Sequence, residues 1–291
     1  MTRLFRLHSP ALLLEGADTR RFLNSMLTQN FRDMPVGTGN HTAITDRKGR
    51  VEGLLHGTML REDQALLVLD DMDLEWTIDR LDMYIIMDPI ELTPLAQSHV
   101  VLSLQGADCD QVLTRAGLPL PEAGGFDAGF MVRNDRTDPC GVDLVTVQEK
   151  VEEVHAKLLE SGAITGSNED FDALRIRRGL PRWPVDMGKR AFLHELGLSD
   201  RVVSYSKGCY LGQEVINRMQ TMGKVNRRLT RIRMDGPASP GPLTLDGDAV
   251  GDLTSVGTID DQTWGLGLLR STARTAGLRV RCGALDGTVD P

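Results

Sequence analysis

One short segment, residues 206–223, holds the side chains best suited to chemistry: its sequence is Ser-Lys-Gly-Cys-Tyr-Leu-Gly-Gln-Glu-Val-Ile-Asn-Arg-Met-Gln-Thr-Met-Gly. An apolar stripe at helical spacing occupies its second half, formed by Val215, Ile216, Met219 and Met222. Cys209 is therefore expected at or just before the N-terminus of a helix that ends at Gly223. Free N–H groups at such a terminus, together with the charge of Lys207, favour the thiolate form of a cysteine. We predict that Cys209 is a functional thiol and that Lys207 assists it.

The residues around this cysteine are suited to holding a ligand. Gly208 and Gly212 carry no Cβ, so a ligand can approach the backbone closely there. With Gln213 and Glu214 they lie within five positions of the cysteine, which favours a functional thiol over the buried and inert cysteine that is commoner in proteins. A Cys–His pair with His194 is a further alternative, although nothing in the sequence orients that histidine.

Charge is distributed unevenly along the chain. The 291 residues include 33 Lys and Arg against 41 Asp and Glu, for a net charge of −8, which argues against a generally basic nucleic-acid-binding protein. Residues 173–233, however, contain fourteen Lys and Arg against four Asp and Glu, a local charge of +10 that leaves −18 for the rest. Solvated surface side chains would account for part of such a run. The pattern nevertheless favours an anionic ligand, or an acidic or nucleic-acid partner, near the cysteine.

The four cysteines and the apolar runs bear on compartment and metal binding. The cysteines are far apart, at 109, 140, 209 and 282, so we expect neither a disulfide framework nor a self-contained metal site. No apolar run approaches the roughly 18 residues of a membrane span, and the apolar stretch near the N-terminus is too short for a signal peptide. We therefore predict a cytoplasmic protein without a membrane partner.

The elements that must position the segment are of mixed type. Residues 12–23 are echoed at 102–113, and both copies predict a strand, a glycine turn, a capping Asp and a helix. The echo indicates either a duplicated unit or a common local solution. Helices are also predicted from Leu74 to before Pro89, over 148–160, and from a capping box at Ser167 and Asp170 as far as Gly179, with a strand at 143–147.

The C-terminal part has a different texture. Ten of the 30 glycines lie in residues 236–291, between short β-prone runs. Asp246-Gly247 is a typical two-residue hairpin turn, and residues 264–269 form another candidate strand. We predict an α+β region of two subdomains over 1–225 and a small all-β domain, a barrel or sandwich, over 226–291.

The motif Lys-Gly-Cys-Tyr-x-Gly-Gln-Glu at residues 207–214 closely resembles the signature of the YgfZ-type folate-binding proteins. These are relatives of the glycine-cleavage T-protein, the aminomethyltransferase. Essentially the full length is similar to that family, with further matching stretches at 16–28, 45–51, 175–186, 223–229 and 254–268.

The resemblance implies a multi-part α+β, aminomethyltransferase-like folate-binding fold with a small C-terminal β-barrel. It also implies tetrahydrofolate as ligand and a role with iron–sulfur enzymes or their assembly factors, and the net charge argues against nucleic acid as a partner. We expect catalytic roles at Cys209 and Lys207. We expect folate contacts at Gly208, Tyr210, Gln213, Glu214, Arg175, Lys224 and Arg227, the last two by motif position at the anionic glutamate tail.

Two departures from the T-protein bear on activity. Its Gly-Gly-x-x-Asp-Asp stretch supplies a catalytic Asp, whereas residues 49–54 here lack one and Glu52 is out of register. Its Arg-x-Glu-Ala-Gly motif has a pterin-binding Glu where this chain has Arg177. We therefore predict a tetrahydrofolate-binding accessory protein for iron–sulfur cluster assembly or repair. An aminomethyl transferase and a non-enzymatic RNA- or protein-binding module are the alternatives, and whether the chain is an enzyme stays open.

Overall fold

The computed structural model describes residues 1–87, 89–137, 140–188, 191–223 and 225–290, which fall into two compact units. Unit 1 comprises Met1–Arg47, Glu52–Gly166 and Arg201–Gln213, and unit 2 comprises Lys48–Val51, Ser167–Asp200 and Glu214–Pro291. The helices are α1 (Thr19–Met26), α2 (Leu74–Asp82), α3 (Cys109–Arg115), α4 (Val151–Glu160), α5 (Asn168–Arg177), α6 (Ser199–Val202) and α7 (Gln213–Met222).

Unit 1 is built on two sheets. The first eleven strands are β1 (Arg3–Leu7), β2 (Ala11–Glu15), β3 (Gly39–Thr45), β4 (Val51–Arg61), β5 (Gln64–Asp70), β6 (Glu91–Pro94), β7 (His99–Gln105), β8 (Gly125–Phe126), β9 (Gly129–Arg133), β10 (Val142–Val147) and β11 (Ile164–Thr165). One sheet has the order β11-β1-β7-β10-β9-β8 and the other β3-β4-β5-β2-β6. Leu66 and Val68 of β5 share a buried cluster with Val101 of β7 and Val145 of β10, so side chains of both sheets contribute to one core.

The echoed segments adopt the same local structure. Each is a strand followed by a glycine with positive φ, Gly16 at 151° and Gly106 at 144°, and then a short helix. The expected capping by the two Asp side chains is wrong, because neither makes a cap hydrogen bond. Asp18 pairs instead with Arg21 at 3.1 Å. The two copies lie in different sheets of unit 1.

The other predicted helices and the strand are confirmed. α2 begins after Asp73, whose Oδ1 accepts a hydrogen bond from Trp76 N at 2.7 Å, and it ends well before Pro89. The strand predicted at 143–147 is β10, and a short 3-10 turn precedes α4. α5 begins with the predicted capping box of Ser167 and Asp170 and stops before Gly179, whose φ is +75°.

Unit 2 contains a closed six-stranded barrel. Its strands are β12 (Arg227–Met234), β13 (Gly241–Leu245), β14 (Asp248–Ile259), β15 (Gln262–Arg270), β16 (Arg279–Cys282) and β17 (Leu285–Asp290), in the order β12-β15-β14-β13-β16-β17. Asp246 and Gly247 form the predicted turn, both with positive φ. α5 packs so closely on β14 that a Cβ at Gly257 would lie 2.7 Å from the Cα of Ala173. The predicted α+β class with a small C-terminal barrel is confirmed, whereas the division between 225 and 226 stays a prediction.

Among the described residues, no helix combines the length and the apolar composition that crossing a bilayer requires.

Candidate functional site

The cysteine motif lies in an irregular segment of unit 1 between α6 and α7. Lys207 and Tyr210 are buried, while the two residues between them, Gly208 and Cys209 with its free thiol, are exposed. The two buried neighbours contact each other, because the Lys207 Nζ lies 4.7 Å from the centre of the Tyr210 ring. The segment thus holds its inner side chains in the unit and presents the thiol to solvent.

Lys207 fixes this segment to the chain that follows α1. Its Nζ donates hydrogen bonds to the backbone oxygens of Leu27 at 2.5 Å and Gln29 at 2.7 Å. Burial lowers the pKa of Lys207 to about 7, which means that removal of the ammonium from water outweighs the support of these acceptors. Lys207 therefore acts on the backbone beneath the motif, a contact that the sequence did not predict.

Four further hydrogen bonds tether the same segment on both sides of the cysteine. Before it, Thr28 Oγ1 donates to Val202 O at 2.5 Å, Ser204 N donates to Thr28 O at 3.0 Å, and Gln29 Nε2 donates to Arg201 O at 3.2 Å. After it, Thr45 Oγ1 donates to Leu211 O at 2.6 Å. The atoms that the Cys209 segment contributes to these four hydrogen bonds are all backbone atoms. The path of its main chain is therefore held largely independently of the side chains of the segment.

The expected position of Cys209 at a helix N-terminus is not what the structure has. α7 begins at Gln213, four residues later, because Leu211 and Gly212 form a turn in which Gly212 has a φ of +84°. The dipole of a helix acts mainly within its first turn, so it contributes little at Cys209. The predicted stop at Gly223 is confirmed, with a φ of +61°. Met222, however, is exposed rather than part of a buried stripe.

Tyr210 holds a hydroxyl that the described residues leave without a hydrogen-bond partner. The side chain is buried, and burial raises the pKa of its phenol well above the usual value of 10. The phenol is therefore neutral at physiological pH and can both donate and accept one hydrogen bond. A buried polar group of this kind costs free energy unless a ligand or water completes it.

Arg175, a predicted folate contact, lies in unit 2 within a network of ion pairs and hydrogen bonds. Its guanidinium donates to Asp172 Oδ1 and Asp186 Oδ2, each at 2.6 Å, and to Ser255 Oγ at 2.9 Å. Asp186 is fully buried and also accepts a hydrogen bond from Thr254 Oγ1 at 2.5 Å. These contacts give Arg175 a structural role, and its contact with a ligand stays a prediction.

The other predicted ligand contacts are also placed. Gln213 is the last residue of unit 1, and its backbone N–H donates to Tyr210 O at 3.3 Å. Glu214 is exposed in the first turn of α7, and Arg227 of β12 pairs with Glu195 at 2.8 Å in unit 2. Lys224 lies outside the described residues. His194, the alternative base, lies 3.2 Å from Gln220 Oε1 through its Nε2, and its pairing with Cys209 stays a hypothesis.

Much of the positive charge of residues 173–233 is neutralised within the units. Of the eleven cationic side chains of this run that the structure describes, six form ion pairs, namely Arg175, Arg177, Arg182, Arg201, Arg227 and Arg231. Several of their partners, such as Asp135, Asp172, Asp260 and Asp290, lie outside the run in the sequence. The segment therefore presents less positive charge than its composition indicates.

One polar cluster near the motif escaped the sequence analysis. Arg201, at the end of α6, donates to Asp135 Oδ1 at 3.0 Å, and its guanidinium nitrogen lies 2.6 Å from His41 Nε2. Burial raises the pKa of Asp135, but the hydrogen bond with His41 and the charge of Arg201 outweigh it and lower the pKa to about 2. The three residues are separated by 66 or more positions, and no local pattern relates them.

The titration of Lys207 gives a test of its burial. In the unfolded chain this lysine keeps its proton to about its usual pKa of 10.5, whereas in the folded protein it loses the proton near pH 7. Between those values the unfolded state binds more protons, so the free energy of unfolding should rise with pH. We expect up to about 1.4 kcal/mol per pH unit between about pH 7.5 and 9.5, measured by urea unfolding.

Two variants isolate that contribution. Lys207→Met should lose the slope, while Lys157→Met, which alters a half-exposed lysine paired with Glu153, should keep it. Equal slopes in all three proteins would show that Lys207 stays protonated in the folded state.

No group of three or more His, Cys, Asp or Glu suited to hold a metal ion occurs among residues 1–87, 89–137, 140–188, 191–223 and 225–290. At the cysteine motif, the described groups suited to chemistry are the exposed thiol of Cys209, Lys207 with its lowered pKa and the unpartnered phenol of Tyr210.

Comparisons with known proteins find several similar chains. Residues 8–119 match the GCVT N-terminal domain. The chain is 26% identical over 295 residues to a putative chloroplastic transferase of Arabidopsis thaliana, covering 95% of this chain and 67% of that protein. It is also 26% identical over 272 residues to an aminomethyltransferase of Mycobacterium leprae, covering 86% and 71%.

A further relative and a solved structure agree with these matches. The mitochondrial iron–sulfur cluster assembly factor IBA57 of Mus musculus is 26% identical over 301 residues, covering 95% of this chain and 80% of that one. The crystal structure of the glycine cleavage system aminomethyltransferase T from Bartonella henselae superposes with a TM-score of 0.89 at 19% identity, covering all of this chain and 85% of that one. The fold is therefore that of the aminomethyltransferase.

Proposed function

We propose that this protein is a tetrahydrofolate-binding accessory factor in the assembly or repair of iron–sulfur clusters, and that Cys209 is its working thiol. The observation that carries the proposal is the exposed thiol on a segment whose neighbours, Lys207 and Tyr210, are buried. Thiols on a fixed backbone can exchange with other thiols or contact a cluster without first paying to order a loop. The relatedness to an iron–sulfur cluster assembly factor supports this class of function over others.

The residues present fit a reduced folate. The buried hydroxyl of Tyr210 has no partner among the described residues, and a pterin ring offers both donors and acceptors to it. Exposed Gly208 leaves the backbone open to close approach, and no atom lies within 4 Å of the position of a Cβ there. The folate would supply one-carbon or reduced-pterin chemistry when bound. Relatedness to aminomethyltransferases supports this ligand.

We propose that Arg227 holds the anionic tail of the folate. Arg227 pairs with Glu195 but keeps 43% of its side chain exposed, so a carboxylate of the ligand can reach it. Lys224 is proposed to act with Arg227, while Gln213, Glu214 and Arg175 are proposed to complete the site. Iron–sulfur enzymes or assembly factors are the proposed protein partners, in the cytoplasm.

Titration with tetrahydrofolate and with its polyglutamates, followed by calorimetry, tests this ligand. We expect saturable binding that Tyr210→Phe weakens by about three- to tenfold, the worth of one hydrogen bond. Arg227→Gln should weaken polyglutamate binding more than monoglutamate binding. Arg233→Gln, which alters an exposed arginine of the same strand, should change neither. An absence of saturable heat with either folate would refute tetrahydrofolate as the ligand.

We infer that aminomethyl transfer is not the activity, because residues 49–54 lack the catalytic Asp of the T-protein motif. Glu52, the carboxylate nearest in sequence to the position of the missing Asp, pairs with Arg80 at 2.8 Å. We therefore expect no methylene-tetrahydrofolate from an aminomethyl donor. If product forms, the protein is a one-carbon transferase and the accessory role falls. Steeply salt-dependent RNA binding that folate does not compete would instead support the third alternative.

A further inference from the structure

An unusual concentration of exposed apolar side chains lies at one place in unit 1, on α2 and the turn that follows it. Ten large apolar side chains are exposed among the described residues, and four of them are Trp76, Met83, Ile86 and Met87. Their exposed fractions are 37%, 68%, 84% and 93%. Single exposed apolar residues need no explanation, but a cluster of this kind in a short segment marks an interaction surface.

These side chains are exposed even though α2 has a buried face of its own. Thr77 and Leu81 of α2 are buried, so the helix already packs its inner side against unit 1. Trp76 and Met83 lie seven residues apart, which places them about 10 Å apart on the same outer side. The exposed side is therefore a second apolar face, separate from the one that stabilises the fold.

The turn after α2 is held in place. Tyr84 N donates to Leu81 O at 3.0 Å and Ile85 N donates to Asp82 O at 2.9 Å. The guanidinium of Arg80 lies 5.1 Å from the centre of the Tyr84 ring. The chain then passes so close to Gly16, the residue after β2, that a Cβ on this glycine would lie 1.8 Å from Pro89 O. These contacts define the path of the chain before and after Ile86 and Met87.

The same surface is acidic. Exposed carboxylates lie in the same stretch of chain as the apolar side chains, at Asp71, Asp73, Glu75, Asp79 and Asp82. The one basic residue of this stretch, Arg80, is turned inward and pairs with Glu52. Residues 71–87 therefore carry five negative charges against one positive charge that is already paired.

We propose that residues 71–87 form a docking surface for a basic amphipathic helix of a partner protein. Its apolar side would cover Trp76, Met83, Ile86 and Met87, and methionines adapt readily to the shape of such a partner. Its Lys and Arg side chains would meet the surrounding carboxylates, which supply complementary charge at the rim. The surface does not involve Cys209 and is independent of the proposed folate site.

Charge argues against the other occupants. A second copy of the chain would place these five carboxylates opposite the same five in a two-fold contact. An anionic lipid surface would repel them in the same way. A basic helix is the partner that satisfies the apolar and the acidic components together.

Fluorescence anisotropy of a labelled 18-residue Leu/Lys amphipathic peptide tests the proposal on the full chain, with a Leu/Glu peptide of the same pattern as the charge control. We expect saturable binding of the Leu/Lys peptide that weakens with salt, and none of the Leu/Glu peptide. Met83→Ser/Ile86→Ser/Met87→Ser and Asp79→Asn/Asp82→Asn should each weaken it by about tenfold or more. Matched controls elsewhere, Val36→Ser/Leu120→Ser and Asp248→Asn/Asp252→Asn, should not.

Three results would overturn the proposal. The first is that all variants bind the Leu/Lys peptide as tightly as the unaltered protein does. The second is that the Leu/Glu peptide binds as tightly as the Leu/Lys peptide. The third is that the triple variant loses self-association or vesicle binding but still binds the Leu/Lys peptide. The altered side chains are all exposed, so the variants should fold, and circular dichroism with thermal unfolding confirms that each does.

Discussion

Cys209→Ser should abolish the support that this protein gives to iron–sulfur enzymes in cells while leaving its folding unchanged. The thiol is exposed and its segment is held largely by backbone atoms, so the free energy of unfolding should change by less than about 0.5 kcal/mol. A hydroxyl of similar size lacks the nucleophilicity and metal affinity of a thiolate. The measurement is the activity of an iron–sulfur dehydratase in cells that carry the variant as their only copy.

Cys140→Ser is the matched control for this experiment, because Cys140 is also an exposed free cysteine. We expect cells with that variant to keep wild-type dehydratase activity, and cells with Cys209→Ser to fall to the level of cells without the protein. Wild-type activity in the Cys209→Ser cells would show that the thiol is dispensable and that the function lies elsewhere in the molecule.

Arg175→Met should lower the free energy of unfolding by about 3–5 kcal/mol, because it leaves a buried carboxylate without its counter-charge. Asp186 is fully buried and accepts its hydrogen bond from Arg175 at 2.6 Å, and Ser255 loses a partner at the same time. Urea unfolding measures the loss. Arg177→Met is the matched control, since it removes an exposed pair with Asp260 and should cost less than about 1 kcal/mol.

A double variant separates charge from packing at this position. If the cost of Arg175→Met comes from the unpaired carboxylate, then Arg175→Met/Asp186→Asn should be more stable than Arg175→Met alone. Equal losses in the Arg175 and Arg177 variants would contradict the structural role of Arg175. Folate titration of the folded fraction then tells whether Arg175 also touches the ligand, because a purely structural residue changes the folded fraction and not the affinity.

Local chemistry made much of the fold predictable from the sequence. The capping box at Ser167 and Asp170, the hairpin at Asp246-Gly247 and the helix stop at Gly223 are specified by neighbours within a few residues, and all three are confirmed. The capping role of Asp18 failed because a nearby arginine competes for its carboxylate. Helix starts are similarly sensitive, so one turn at Gly212 moved the start of α7 away from Cys209.

The contacts at the site that could not be predicted from the sequence are long-range ones. The charge of Lys207 was evident, but its carbonyl acceptors lie about 180 residues earlier in the chain. Likewise, the acids that neutralise residues 173–233 are spread from Asp135 to Asp290. Composition counts charges and leaves their pairing undetermined, which is why a run with a charge of +10 overstates the free positive surface.

The hydrogen bonds that tether the Cys209 segment also bear on the order in which parts of the chain fold. Its anchors at Leu27, Gln29 and Thr45 are synthesised first, and Lys207 and Leu211 follow 166 to 180 residues later. Contacts this distant in sequence form slowly, after the more local parts have folded. The path of the main chain around Cys209 is therefore fixed only after the local elements between these residues have folded.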